Sequence, residues 1–222
     1  MREAVEIVLE KRASIATVKV ALTQGEWLLA NEDMQRLTRI ALDLQNDCST
    51  ACVVVRIART PRIAENESSG SPDGPNSVDH SIPSTDCECL CAAWRAVPQV
   101  TIAAIEGSSV GAIAALTLSC DWRVMAESAY LKPSVETAGV AIDSSLIPQL
   151  VGTVGHSKAL QYLVLRDHLT AECALDAGLV DWISPHGLAA AMATDLAKKV
   201  TVRPVSEVLR LKREVQAQRG YL

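Results

Sequence analysis

The 222-residue chain contains no phenylalanine, and tryptophan and tyrosine together make up only 3% of it. A core without many rings has to be filled by Ala, Val, Leu and Ile, and the 49% hydrophobic content is enough for a sizeable one. No stretch approaches about eighteen uninterrupted apolar residues, which argues against a membrane-spanning helix. The opening residues, MREAVEIVLEKRAS, interleave charges with apolar side chains and lack the apolar block of a signal peptide. Without such a leader the seven cysteines, an odd number, are expected as reduced thiols in a cytoplasm rather than as a disulfide frame. A basic excess is also missing. The 21 Lys and Arg are outnumbered by 26 Asp and Glu, and a net charge of −5 argues against nucleic acid as the main partner.

Three of the cysteines, Cys87, Cys89 and Cys91, fall together in DCECLCAAW. Zinc ligands are usually paired across two to four intervening residues, so this alternate spacing with no histidine nearby is a poor metal site. The expectation is no metal, and small thiols that pack, buried or half-buried, along a helix.

The pattern along the chain alternates strand and helix signals. Residues 4–10 and 15–22 alternate as the two strands of a hairpin. From Asn31, a candidate N-cap, Leu37, Ile40, Ala41 and Leu44 share one helical face. ACVVVRIA (51–58) is a continuous apolar run, as in a strand buried on both faces. Residues 59–86 are dense in Ser, Pro, Gly and Asp and predict a mobile loop, of a length that usually carries function or disorder. A helix at 87–96, a strand at 99–105, a loop of small residues, a helix at 111–119 and a strand in DWRVMAE follow. Three helices come next, in SSLIPQLVGTVG, HSKALQYLVLR and TAECALDAG, the last capped by Thr170 and ended by Gly178. A short strand in LVDWI and helices near 187–200 and 205–218 close the chain. The order predicts an α/β fold with largely parallel pairing. It comprises a core domain over 1–185 and a C-terminal helical region over 186–222.

The stretch AAIEGSSVGAIAALTLSCDWRVMAE (103–127) concentrates the functional signal. Gly107 to Gly111 satisfy G-x-S-x-G between a strand and a helix, the setting of a serine nucleophile elbow. On that reading Ser109 is the nucleophile, with Asp143 and one of His156, His168 or His186 as partners, but the remaining chain is short for such an enzyme.

A longer pattern points elsewhere. VTIAAIEGSSVGAIAALTLSCDWRVMAESA resembles P-x-I-A-A-x-x-G-x-x-x-G-G-G-x-x-x-x-x-x-C-D-x-x-x-A, a run of the crotonase, or enoyl-CoA hydratase/isomerase, superfamily. LVGTVGHSKALQYLVLRDHLTAECALDAGLVDWI resembles the run that follows it in that superfamily. The resemblance is best from Val100 to Ile183, and it implies a crotonase-type α/β spiral of ββα units, assembled as a trimer or hexamer. It also implies an acyl thioester as substrate, carried on CoA or on the phosphopantetheine arm of a carrier protein, with no other cofactor. Two backbone N–H groups would polarise the thioester carbonyl, that of Ala112 beside Gly111 and that of Ser69 beside Gly70 in SSGSPD. The two glutamates of the family's hydratases fall on Ala115 and Val135, neither of which can carry a proton, and Glu136 lies one residue past the second. Asp143 matches a third position where some members place a carboxylate against the acyl group, although it is equally placed to cap the next helix.

His80 in the long loop is a further acid or base candidate. His156, at a helix start, reads as structural, His168 as exposed, and LRLKREVQAQR as a solvated basic face. The resemblance therefore implies an oxyanion-stabilised enolate, used for dehydration, decarboxylation or isomerisation of a polyketide-type intermediate rather than ordinary hydration. The alternative is a catalytically silent accessory protein that assists a polyketide synthase. Family members with further C-terminal helices cover the acyl pocket with them, so the short tail here favours a tethered substrate.

Overall fold

The computed structural model describes residues 5–22, 29–59, 85–132, 146–165 and 168–218. Strands β1 (Glu6–Arg12) and β2 (Ile15–Leu22) form the expected hairpin, closed by Ala13 and Ser14 with Arg12 opposite Ile15. Helix α1 (Asn31–Gln45) leads to β3 (Cys52–Arg59). Helix α2 (Thr85–Arg95), β4 (Val100–Ile105), the two-residue β5 (Ser109–Val110) and α3 (Ala112–Leu118) follow. Then come β6 (Trp122–Ala126), β7 (Tyr130–Lys132), α4 (Leu146–Val154) and α5 (His156–Leu165). The last elements are β8 (Leu169–Thr170), α6 (Ala171–Asp176), β9 (Trp182–Ser184), α7 (Ala189–Val200) and α8 (Val205–Gln218).

Among the described residues these strands make two sheets. The larger runs β1-β2-β3-β4-β6-β9, parallel throughout except for the hairpin, and the smaller runs β5-β7-β8. The apolar run of β3 explains the layering. Val53, Val55 and Ile57 point into a core shared with Leu37, Leu44, Leu90, Trp94, Ile113 and Leu116 from α1, α2 and α3. Cys52 and Val54 point the other way, against α7. That helix meets the sheet through Ala189, Ala193 and Ala197, spaced four apart, so its backbone lies close, with the partly buried Met192, Leu196 and Val200 packed beside them. Burial pushes the Cys52 thiol up to about 12, so it behaves as a small neutral hydrophobe.

Local signals hold where the backbone itself enforces them. Thr170 accepts from the Cys173 N–H at the start of α6. Gly178, at φ 76, ends that helix, with its own N–H bonded to Leu175 O and the Leu179 N–H bonded to Ala174 O, the paired bonds of a Schellman motif. Three expectations need correction. Asn31 is the first residue of α1 rather than its cap; the Ala30 N–H instead donates to Asp33 Oδ2. Cys89 is exposed, whereas Cys87 and Cys91, four apart, face the core. The run LRLKREVQAQR is not solvated throughout: Lys212 lies four residues after the inward Val208 and is only 8% exposed.

Lys212 is buried because its ammonium is matched. It donates to Asp121 Oδ2 at 2.6 Å and to Gln99 O at 2.7 Å, and Asp121 Oδ2 also accepts from the Thr101 N–H and hydroxyl. Gln216 adds a bond from Nε2 to Arg95 O. These bonds clasp α8 to the ends of β4 and β6. Lys212→Met keeps the apolar stem and removes two charge-assisted bonds, so stability is expected to fall by about 2 kcal/mol, read as a lower urea midpoint with an unchanged m-value.

Candidate functional site

The candidate site forms where several strands end side by side. Ile57 pairs with Ile105, so β3 and β4 finish at the same edge of the larger sheet, and the Glu106 N–H donates to Ile57 O across that edge. After the short segment 106–108, β5 joins the second sheet in parallel with β7, with Val110 opposite Lys132. β5 and β7 therefore end side by side, at Val110 and Lys132. Ligands of parallel α/β sheets characteristically sit beyond such carboxyl ends.

Gly111 makes the turn from β5 into α3 at φ 54 and ψ −127, a region that side-chain-bearing residues avoid. Its carbonyl accepts the first helical bond, from the Ala115 N–H at 3.0 Å. Ala112 follows as the first helical residue, half-buried. Its N–H is one of the first-turn donors that no intrahelical carbonyl can reach. Behind it α3 is apolar on every side, with Ile113, Ala114, Ala115 and Leu116 all buried, so the helix is a rigid core element. Ala115 has no exposed surface.

The same geometry removes the serine nucleophile. An elbow needs its serine at the strand-to-helix turn with the hydroxyl open to substrate. Here the turn belongs to Gly111, and Ser109 is completely buried in β5 with its hydroxyl 3.5 Å from Thr117 Oγ1. The candidate histidines are engaged elsewhere or far along the chain. His186 Nδ1 lies 2.8 Å from Ser128 Oγ, His168 stands edge-on to Tyr130, and His156 is exposed at the first turn of α5.

The nearest carboxylate in sequence, Glu106, is also committed. Its Oε2 accepts from the Gly187 N–H and its Oε1 from the Ala190 N–H, each at 3.0 Å, so it neutralises the N-terminal end of α7. Nothing in the local pattern of 103–111 signals that partnership, because the donors lie some eighty residues further along the chain.

At the far end of α3, Ser119 Oγ lies within hydrogen-bond distance of Ala115 O and Gln149 Oε1, joining α3 to α4. A hydrogen bond with Cys87, helped by Ser119 and Gln149, holds the neighbouring Cys91 thiol down at about 6 against the opposing effect of burial. Cys120, fully buried, is pushed up to about 12. Of the other sequence-derived candidates, Ser69, Gly70, His80, Val135, Glu136 and Asp143 lie outside the described residues. Their segments begin where β3 and β7 end and stop where α2 and α4 begin.

The sequence profile of the enoyl-CoA hydratase/isomerase family matches residues 75–220. The chain belongs to this family. A probable enoyl-CoA hydratase, echA6, from Mycobacterium bovis is 28% identical over 185 residues, spanning 83% of this chain and 73% of that protein. A probable enoyl-CoA hydratase, echA6, from Mycobacterium leprae is 37% identical over 101 residues, 46% of this chain and 41% of that one. Among solved structures, a monofunctional enoyl CoA isomerase from M. smegmatis superposes with a TM-score of 0.77 at 21% identity, covering 96% of this chain and 93% of its own. ThnE from S. clavuligerus superposes with a TM-score of 0.73 at 22% identity, covering 96% and 94%. At such identities the likeness establishes the fold, which is the crotonase-type architecture that the sequence resemblance implied.

Two substitutions test the local geometry. Gly111→Ala places a β-carbon in a strained backbone well and should cost about 1–3 kcal/mol by chemical denaturation. Ser109→Ala should leave the protein folded and unreactive to fluorophosphonates, as the wild type is expected to be. Covalent labelling of the wild type that disappears in Ser109→Ala would restore the nucleophile.

Proposed function

We propose that the chain binds an acyl thioester, on CoA or on a carrier protein's phosphopantetheine arm, and polarises its carbonyl oxygen with the N–H groups of Ala112 and Ser69. The observation that carries this reading is the Gly111 turn, which opens the first turn of a rigid, buried helix beside the ends of β5 and β7. Removal of a proton next to a thioester, or loss of CO2 from a carboxylate there, leaves the electron pair behind and negative charge on the carbonyl oxygen. Donors already fixed toward that oxygen stabilise the enolate without reorganising, and each is typically worth about 3–4 kcal/mol of barrier. Gly111 and Gly70 allow the backbone to approach the substrate at those two positions.

The choice of reaction follows from what surrounds the donors. Ala115 offers a methyl group where the family's hydratases carry their first glutamate, and Val135 stands at the second. Hydration by a glutamate pair is therefore disfavoured. Dehydration, decarboxylation or isomerisation of a polyketide-type acyl group needs one acid–base group at most, and Asp143 is the residue assigned to it, with Glu136 and His80 as further candidates. The active form is taken to be a trimer or hexamer, by likeness to the family.

A second reading is a catalytically silent accessory role beside a polyketide synthase. It is favoured by the commitment of Glu106 to α7 and by the methyl at Ala115, which leave the donor without an adjacent described carboxylate.

Proline suits the first position of a helix, so Ala112→Pro deletes the donor at little structural cost. It should retain the melting temperature while abolishing thioester processing or the thermal shift given by CoA thioesters and acyl-pantetheine. An unchanged shift and turnover would remove Ala112 from the site. Asp143→Asn separates catalysis from capping, because Asn caps a helix about as well as Asp. The Asn variant should keep its melting temperature and thioester affinity while losing roughly 10²–10⁴-fold in turnover. Wild-type turnover in Asp143→Asn would leave Asp143 as a cap, and a wild type that binds but never turns over thioesters would favour the accessory role.

A further inference from the structure

The segment that carries the proposed donor is pinned at both ends. At its far end β5 pairs with β7, and Ser109 sits against Thr117 of α3. At its near end the pin is Glu106. The backbone N–H of this residue bonds to Ile57 O at the end of β3, at 3.3 Å. Its carboxylate spans the N–H of Gly187, just ahead of α7, and the N–H of Ala190 in the first turn of α7, at 3.0 Å each. Helix α7 is itself fixed to the opposite face of the larger sheet by its alanine stripe. One residue thus ties together β3, through its backbone, the loop leading to Ala112, and, through its side chain, a helix that belongs to neither.

We infer that Glu106 is a positioning residue for the thioester carbonyl: by anchoring the 106–111 segment to α7 it fixes where the Ala112 N–H points. The inference rests on the thioester reading above and adds to it the residue that sets the donor's place. Both carboxylate oxygens are needed. A glutamine keeps one acceptor and loses the negative charge that faces the helix N-terminus, and an alanine frees the segment from α7 altogether. The donor then samples positions away from the carbonyl oxygen, and an oxyanion donor works only when preorganised.

The test uses the 222-residue chain with crotonyl-CoA labelled with carbon-13 at the thioester carbonyl, and desulfo-CoA as a ligand with no thioester carbonyl. Isotope-edited infrared spectroscopy reads the polarisation of the bound carbonyl, and calorimetry reads both affinities. In the wild type the carbonyl band should fall to lower frequency on binding. Glu106→Ala should return the band most of the way to its free position and weaken crotonyl-CoA about tenfold, the equivalent of one lost hydrogen bond, with desulfo-CoA unaffected. Glu106→Gln should lie between. Met192→Ala serves as the control, since it loosens the packing of α7 on the sheet while leaving Glu106 in place. It should lower the melting temperature and leave the carbonyl band where the wild type has it. A wild-type band and affinity in Glu106→Ala would overturn the positioning role and leave the thioester reading standing. A band restored to its free position by Met192→Ala as well would reduce Glu106 to a general structural residue and also overturn it. A wild type with neither a band shift nor affinity for crotonyl-CoA would overturn the thioester reading, and this inference with it.

Discussion

A residue at φ 54 and ψ −127 has its backbone where a β-carbon would collide with the flanking peptide groups, and Gly111 occupies that well between the last residue of β5 and the first turn of α3. The turn is sharp because the strand must stop and the helix must start within one residue. It opens toward the ends of β5 and β7 because those strands run parallel and finish together at Val110 and Lys132. The larger sheet, the second sheet and the buried helix all meet at this point. The first-turn N–H groups of α3 are therefore set by this framework together with the segment that leads into Gly111.

The framework is stiff despite its small side chains. A chain with no phenylalanine has few rings to fill the space between helix and sheet, the buried Trp94 being the main one. It uses close approach instead, with alanines of α7 lying on Cys52, Val54, Ile102 and Ala104, and with α3 buried on all sides. Buried polar groups are costly without partners, and several at the edges of this core are matched by protein. Asp121 with Lys212, Gln99 with Leu44 O and Asp47 O, and Glu106 with α7 all serve this end. Each of these side chains could pass for a catalytic group in the sequence. In the fold each one holds backbone in place.

That division of labour bears on function. Glu106, the carboxylate that leads into the Gly111 turn, is spent on architecture, and the helix behind the turn is built of buried apolar side chains such as Ala115. What the described structure offers a substrate is therefore oriented backbone.

The linear sequence determined the order of the helices and of the larger sheet's strands, because buried parallel strands leave continuous apolar runs and amphipathic helices leave a 3.6-residue period. The caps of α6 were legible for a related reason: Thr170 and Gly178 act on backbone within three or four residues of themselves. The family was legible in the spacing of glycines and alanines from Val100 to Ile183, since close backbone approach tolerates few other residue types. The second sheet was not, because strands of two or three residues are too short to show a period. Only the tertiary structure decided that Ser109 is buried while Gly111 makes the turn, since a G-x-S-x-G match does not say which residue the strand keeps. It alone decided that Lys212 faces inward and that Glu106 belongs to α7. Their partners, Asp121 and the N–H groups of Gly187 and Ala190, are brought within 3.0 Å by the packing of distant elements, and a linear pattern carries no trace of contacts made across eighty or more residues.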